Sequence, residues 1–156
     1  MKVKALERAV PKHAPCLLDT SFVLSYLTGT EPSSDVAAHV VDEWLVGGRN
    51  TAIVSAITAM EACVRPIRSK NQSALQNVMD FFRRFPNLHL VPVDASCAFE
   101  AARVRASSNL SAPDALILAS GLLRRAQIIL TNDRAWKSRI GAVSGSAQVA
   151  YLEDFA

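Results

Sequence analysis

Ala14-Pro15-Cys16-Leu17-Leu18-Asp19-Thr20-Ser21-Phe22-Val23-Leu24-Ser25-Tyr26-Leu27 changes character at Asp19. Before it lies a short apolar run bounded by Pro15, the pattern of a buried strand. After it, Phe22, Val23, Tyr26 and Leu27 recur at the spacing of one helix face. A carboxylate therefore stands where a strand hands over to a helix. In open parallel α/β sheets, ligands and chemistry gather outside the carboxyl ends of the strands. Taken alone, Asp19 has a second reading, as the cap of the helix that follows. What separates the two readings is whether other acids reach the same edge.

The alternation of strand and helix continues along the chain. The turn formers of residues 28–35 end the first helix, and Val36, Val40, Val41, Trp44 and Leu45 mark an amphipathic helix that stops at Gly47-Gly48. Ala52-Ile53-Val54 reads as a second strand. Ser55 is placed to cap a helix through Ile57, Met60 and Val64, which Pro66 ends or turns. Residues 71–85 predict another helix, with Leu75, Val78, Met79 and Phe82 inward and Arg83-Arg84 in the last turn, favourable to the helix dipole. Leu88-His89-Leu90-Val91 is a third strand between two prolines. A helix carrying Phe99, Ala102 and Val104 follows, capped by Asp94. Ser111-Ala112-Pro113-Asp114 opens a nearly all-apolar helix that must be buried on most sides. Gln127-Ile128-Ile129-Leu130 is the most strand-like run in the chain, and Thr131-Asn132-Asp133 stands at its end before a short helix with Trp136. Residues 141–146 predict a loop and residues 149–152 a last short strand.

This pattern predicts an α/β fold in which a mainly parallel central sheet is flanked by helices, as a single domain over residues 1–156. Residues 1–12, charged and broken by Pro11, read as a mobile arm or a short lead-in. Right-handed crossovers would place the strand ends on one rim.

Half of the 156 residues are hydrophobic and a fifth charged, which suits a globular core without disulfide or metal staples. A net charge of +3 permits an anionic partner without demanding one. Cys16, Cys63 and Cys97 are an odd set without metal-ligand spacing, as expected of reduced thiols in a cytoplasmic protein. The basic N-terminus lacks the apolar core of a signal peptide, and no apolar run approaches the length of a membrane span, so no membrane partner is expected.

Four acids are sent to the predicted rim: Asp19 after the first strand, Glu61 on the helix after the second, Asp114 at the head of the apolar helix, and Asp133 after Leu130. Asp114 and Asp133 also sit where caps are expected. Glu61 projects from a largely apolar helix, and a buried carboxylate requires compensation, either from a local arginine such as Arg65 or from a shared acidic site. Converging carboxylates repel by roughly 4 kcal/mol per close pair at an effective dielectric near 20. A cation or protonation must hold such a cluster together. Oxygen-only ligands without Cys or His suit Mg²⁺ or Mn²⁺. Carboxylates around a hydrated divalent ion are the arrangement that activates water and clamps phosphodiester oxygens.

Leu17-Leu18-Asp19-Thr20-Ser21, Ser55-Ala56-Ile57-Thr58-Ala59-Met60-Glu61, Pro113-Asp114-Ala115-Leu116-Ile117 and Leu130-Thr131-Asn132-Asp133-Arg134 resemble, in order, the four acidic motifs of the PIN-domain ribonucleases. The resemblance is nearest to the VapC-type toxins of toxin–antitoxin pairs and runs from about Pro15 to Asp133. It implies a PIN-like fold in which Asp19, Glu61, Asp114 and Asp133 ligate Mg²⁺ or Mn²⁺ and serve catalysis. Ser21 and Thr131 match the motif hydroxyls that would support the acids by hydrogen bonds. It also implies cleavage of single-stranded or loop RNA, a homodimer, and inhibition by a cognate antitoxin. The basic arm and the loop after Gly141 depart from the family pattern.

Arg134 and Lys137, with Arg139, follow Asp133 closely enough to meet substrate phosphates, and an exposed, merely solvated helix end is the other reading; Arg65 and Arg68 stand likewise. Trp44 and Trp136 both fall at core spacing, so RNA recognition by shape or loop presentation, weakening with salt, is expected rather than base stacking. Two other Asp-dependent classes fit poorly. A haloacid dehalogenase-type phosphatase needs a second Asp where Ser21 stands, and a response-regulator receiver needs an acidic pair near the first strand. The remaining alternative is a non-catalytic PIN-like RNA- or protein-binding module.

Overall fold

Cys16, Leu17 and Leu18 are all buried, as a strand covered on both faces requires. They form β1 (Pro15–Leu18) at the middle of a five-stranded sheet. The computed structural model describes residues 2–141, 143, 145 and 147–156. The other strands are β2 (Thr51–Ser55), β3 (Leu88–Val91), β4 (Ile128–Thr131) and β5 (Gln148–Tyr151). Their spatial order is β3-β2-β1-β4-β5, with every adjacent pair parallel.

The chain moves outward from β1 to β2 and β3, then crosses back to β4 on the other side of β1 and on to β5. The order therefore reverses between β1 and β4, which places the ligand crevice of an open α/β sheet at the carboxyl ends of those two strands. Asp19 and residues 131–133 border that crevice.

Seven α-helices of the described residues cover the sheet. These are α1 (Lys2–Ala9), α2 (Thr20–Thr28), α3 (Ser34–Ala38), α4 (Ala56–Arg68), α5 (Gln72–Arg84), α6 (Ala95–Ser108) and α7 (Ala112–Leu123). Side-chain alternation divides the core. Cys16 and Leu18 join Ala52, Val54, Ile128 and Leu130 in the layer under α1 to α5. Leu17 joins Ile53 and Ile129 under α6 and α7. Helix α7 approaches β1 so closely that a Cβ at position 121 would stand 2.6 Å from Leu17 Cδ2, which explains the glycine inside an otherwise apolar helix.

Several readings of the sequence are refined at this level. Of the segment read as a mobile arm or a short lead-in, Lys2–Ala9 forms α1, which buries Leu6, and the chain after it buries Val10. Helix α4 continues through Pro66 to Arg68. The missing N–H removes one bond near the helix end, and the next turn goes on as far as Asn71, whose N–H reaches Pro66 O at 3.0 Å. Phe99 is 74% exposed, because α6 turns Cys97, Ala101, Val104 and Ser108 inward and leaves it on the opposite face. Ala102 and Met60 are exposed for the same reason of helical phase. The helix expected over residues 36–45 is α3 continued by a π-helical segment, His39–Leu45, that still buries Val40, Val41, Trp44 and Leu45. Of the loop expected over residues 141–146, Ala142, Ser144 and Ser146 lie outside the described residues.

Asn50 fastens the N-terminal helix to the sheet. It is 1% exposed, and its amide donates to Pro11 O and Ala14 O, each at 2.9 Å. Arg49 supports the same join, donating to Glu7 O and Val10 O. Asn50→Ala strands two carbonyls and should lower stability by about 1–3 kcal/mol. Urea unfolding checks this, with a lower midpoint expected at unchanged slope.

Candidate functional site

Asp19 is 3% exposed at the end of β1, and its backbone N–H donates to Leu130 O at 3.1 Å, extending the β1–β4 ladder by one step. Although it precedes α2, its side chain makes no capping hydrogen bond there. Its Oδ2 instead accepts from Ser21 Oγ at 2.7 Å and from Thr131 Oγ1 at 2.8 Å. Each hydroxyl is fixed in turn by a backbone N–H: Asn132 N donates to Ser21 Oγ at 2.8 Å, and Asp133 N to Thr131 Oγ1 at 3.0 Å. One carboxylate oxygen thus ties together the two strand ends that flank the crevice.

Glu61 is half-buried on α4, and no arginine pairs with it among the described residues. Its Oε2 accepts from Thr20 Oγ1 at 2.5 Å, and Thr20 Oγ1 lies 3.0 Å from the buried Thr58 Oγ1. The residue after Asp19 therefore reaches Glu61 directly. Asp114 stands half-buried in the first turn of α7, where its N–H is capped by Ser111 Oγ at 3.3 Å. Burial pushes the Asp19 carboxyl above the usual range. The Ser21 and Thr131 hydroxyls oppose that rise, and the negative charge of Asp114 adds to it.

Asp133 follows the capping reading. Its Oδ1 accepts from Ala135 N at 2.8 Å and caps the 3-10 turn Arg134–Trp136. The site therefore brings Asp19 and Asp114 within electrostatic reach and joins Glu61 through Thr20. Asp133 enters by its backbone, with one carboxylate oxygen committed elsewhere. Among the described residues, no three acid, imidazole or thiol side chains stand together closely enough to hold an ion directly.

The donor set still suits a hydrated divalent cation. Its donors are all oxygens, none of the four acids is ion-paired among the described residues, and the buried Asp19 lies within electrostatic reach of the half-buried Asp114. Mg²⁺ is characteristically taken by one or two carboxylates while keeping several waters.

The basic residues beside the rim differ from one another. Arg134 is engaged: Nη2 donates to Asp154 Oδ1 at 2.5 Å, and Nε is 3.8 Å from Glu153 Oε2. Its guanidinium carbon lies 5.0 Å from the centre of the Tyr151 ring. Lys137 is exposed and joins no ion pair among the described residues. Trp44 and Trp136 are buried in the core.

Thr20, Thr58 and Asn132 belong to the hydrogen-bonded frame and escaped the sequence reading. A signal existed for Thr58, which lies three residues before Glu61 and so on the same helix face.

A model of the PIN domain matches residues 16–140, a span that contains all four acids. The chain belongs to the PIN domain family. Among solved structures, this PIN domain is similar in fold to VapBC2 from Rickettsia felis, solved bound to a DNA fragment from its promoter. The identity there is 18% and the TM-score 0.64, over 88% of this chain and 98% of that one. It is similar as well to VapC20 of Mycobacterium tuberculosis, described as a toxin that cleaves the sarcin–ricin loop, at 16% identity and TM-score 0.65 over 84% of this chain and 98% of that one. A third likeness is to FitAcB from Neisseria gonorrhoeae, at 20% identity and TM-score 0.63 over 88% and 98% of the two chains. No curated protein sequence matches the chain. Among the described residues of this PIN domain, no helix is long and apolar enough to cross a membrane.

Proposed function

We propose that this PIN domain is a metal-dependent endoribonuclease that hydrolyses RNA phosphodiester bonds, and that it is the toxin of a toxin–antitoxin pair. The observation that carries the proposal is the buried Asp19 carboxylate, fixed at the sheet's switch point within electrostatic reach of Asp114, with no ion-pair partner among the described residues.

Asp19, Glu61, Asp114 and Asp133 would hold Mg²⁺ or Mn²⁺, partly through water. When bound, the ion supplies Lewis acidity toward the attacking water and the phosphoryl oxygens. The chain's own contribution is positional. Ser21 and Thr131 fix one Asp19 oxygen and so set where the other points. Thr20, itself held by Thr58, orients Glu61. Arg134 and Lys137 are the proposed substrate contacts, at the rim where an RNA backbone would pass. That several structures similar in fold are VapBC or toxin–antitoxin complexes supports a cognate antitoxin as partner. The proposal is completed by a homodimer working in the cytoplasm, where Cys16, Cys63 and Cys97 stay reduced.

Incubating the purified protein with a mixed RNA pool tests the reading. Cleavage is expected with Mg²⁺ or Mn²⁺ and should stop when a chelator is added. RNA bound but left intact under every divalent ion would identify the chain as a non-catalytic RNA-binding module instead.

A further inference from the structure

We propose that Arg134 is a contact for a substrate phosphate and that two acids of the C-terminal turn, Glu153 and Asp154, occupy it until RNA arrives. The inference rests on the ribonuclease reading and adds a means of restraint at the same site.

Arg134 directly follows Asp133 at the crevice. Its Nη2 is taken by Asp154 Oδ1 at 2.5 Å and Glu153 Oε2 stands 3.8 Å from Nε, so carboxylate oxygens stand where phosphate oxygens would bind. The contacts continue to the acid cluster. Glu153 N donates to Asn132 Oδ1 at 3.2 Å, Asn132 N donates to Ser21 Oγ, and Ser21 Oγ donates to Asp19. A cleft of about 390 Å³ lined by Ser21, Ser33, Asn132 and Glu153 lies along this route.

The ion pair is built to exchange. The side chains are 42% exposed for Arg134 and 53% for Asp154, so water screens their attraction and the pair is weak. A phosphodiester offers the same fork a second set of paired oxygens, and the stack on Tyr151 can persist through the exchange. Before exchange, Asp154 and Glu153 offset the charge of the arginine, so an approaching phosphate meets a guanidinium that is already paired.

The test measures binding of a labelled single-stranded RNA by fluorescence anisotropy across a salt series, in an Asp19→Asn background that silences cleavage. Asp154→Asn combined with Glu153→Gln should bind several-fold more tightly. The slope of log affinity against log salt should steepen, because the gain shrinks at high salt, where screening already loosens the pair that the wild type must break. Adding Arg134→Gln should return both values to the start. Should the double variant melt early, Asp154→Asn alone keeps the Glu153 backbone bond and reads the same exchange. A gain that survives Arg134→Gln would mean general charge relief and overturns the proposal. Binding with unchanged affinity and slope overturns it while leaving the ribonuclease reading intact. Failure of every variant to bind RNA overturns both.

Discussion

Asp19→Asn is expected to reduce metal-dependent RNA cleavage by on the order of 10³-fold, within the range a positioned carboxylate contributes. Asparagine keeps nearly the same shape and retains a carbonyl oxygen that can accept from Ser21 and Thr131. The frame that ties β1 to β4 therefore survives, and the negative charge is what is lost. Cleavage rates on a fixed RNA in saturating Mg²⁺, with circular dichroism to confirm the fold, make the measurement. The four acids should not respond equally. Asp114→Asn removes the charge that Asp19 feels and should follow it closely. Asp133→Asn should cost less, since one Asp133 oxygen already caps Ala135 and asparagine caps as well as aspartate. Cleavage retained in Asp19→Asn, or a loss at Asp133 exceeding that at Asp19, would contradict the proposed division of roles.

The fold was legible because each strand announces itself by a closed apolar run and each helix by a different period. Ile128, Ile129 and Leu130 have no polar alternation, which only a strand buried on both faces tolerates, and β4 indeed lies between β1 and β5. Errors arose where burial depends on what packs from outside. Phe99 is as apolar as Phe82, yet α6 is anchored by Cys97 and Ala101 and turns Phe99 to solvent. The charged N-terminal segment looked like an arm because its ties are carbonyls held by Arg49 and Asn50, some forty residues away, which no local pattern reveals.

At the candidate site, the topology that sends four acids to one rim was readable. How each carboxylate is held was readable in part: Ser21 and Thr131 were expected to support the acids and Asp133 had a capping reading, whereas the bond from Thr20 to Glu61 was not foreseen. Three hydroxyls and one backbone N–H decide the geometry: Thr20 takes Glu61, Ser21 and Thr131 share Asp19, and the Ala135 N–H engages Asp133. Each of these choices depends on ångström-scale positions that spacing alone does not specify.

With metal removed, Asp19→Asn should melt at a higher temperature than the wild type at neutral pH. Burial raises the Asp19 proton affinity in the folded state above its ordinary value of 3.8, and Asp114 raises it further. The folded protein thus binds the proton more tightly than the unfolded chain. Between the unfolded and folded pKa values, stability falls as pH rises. The full penalty stands above the folded value and is absent below the unfolded one. The advantage of the asparagine variant should therefore vanish as pH drops below the ordinary carboxylate range. Divalent metal should reverse the ranking. At 100 times its dissociation constant, Mn²⁺ adds about 2.7 kcal/mol to whichever protein binds it. For a chain of this size that is a rise of about 5–10 °C in the wild type, with much less in Asp19→Asn or Asp114→Asn. Thermal melts with chelator and with Mn²⁺, each at acidic and neutral pH, separate the terms. An equal Mn²⁺ shift in wild type and Asp19→Asn would place the cation elsewhere. A variant no more stable than wild type in chelator at neutral pH would show that the buried charge is already compensated within the protein.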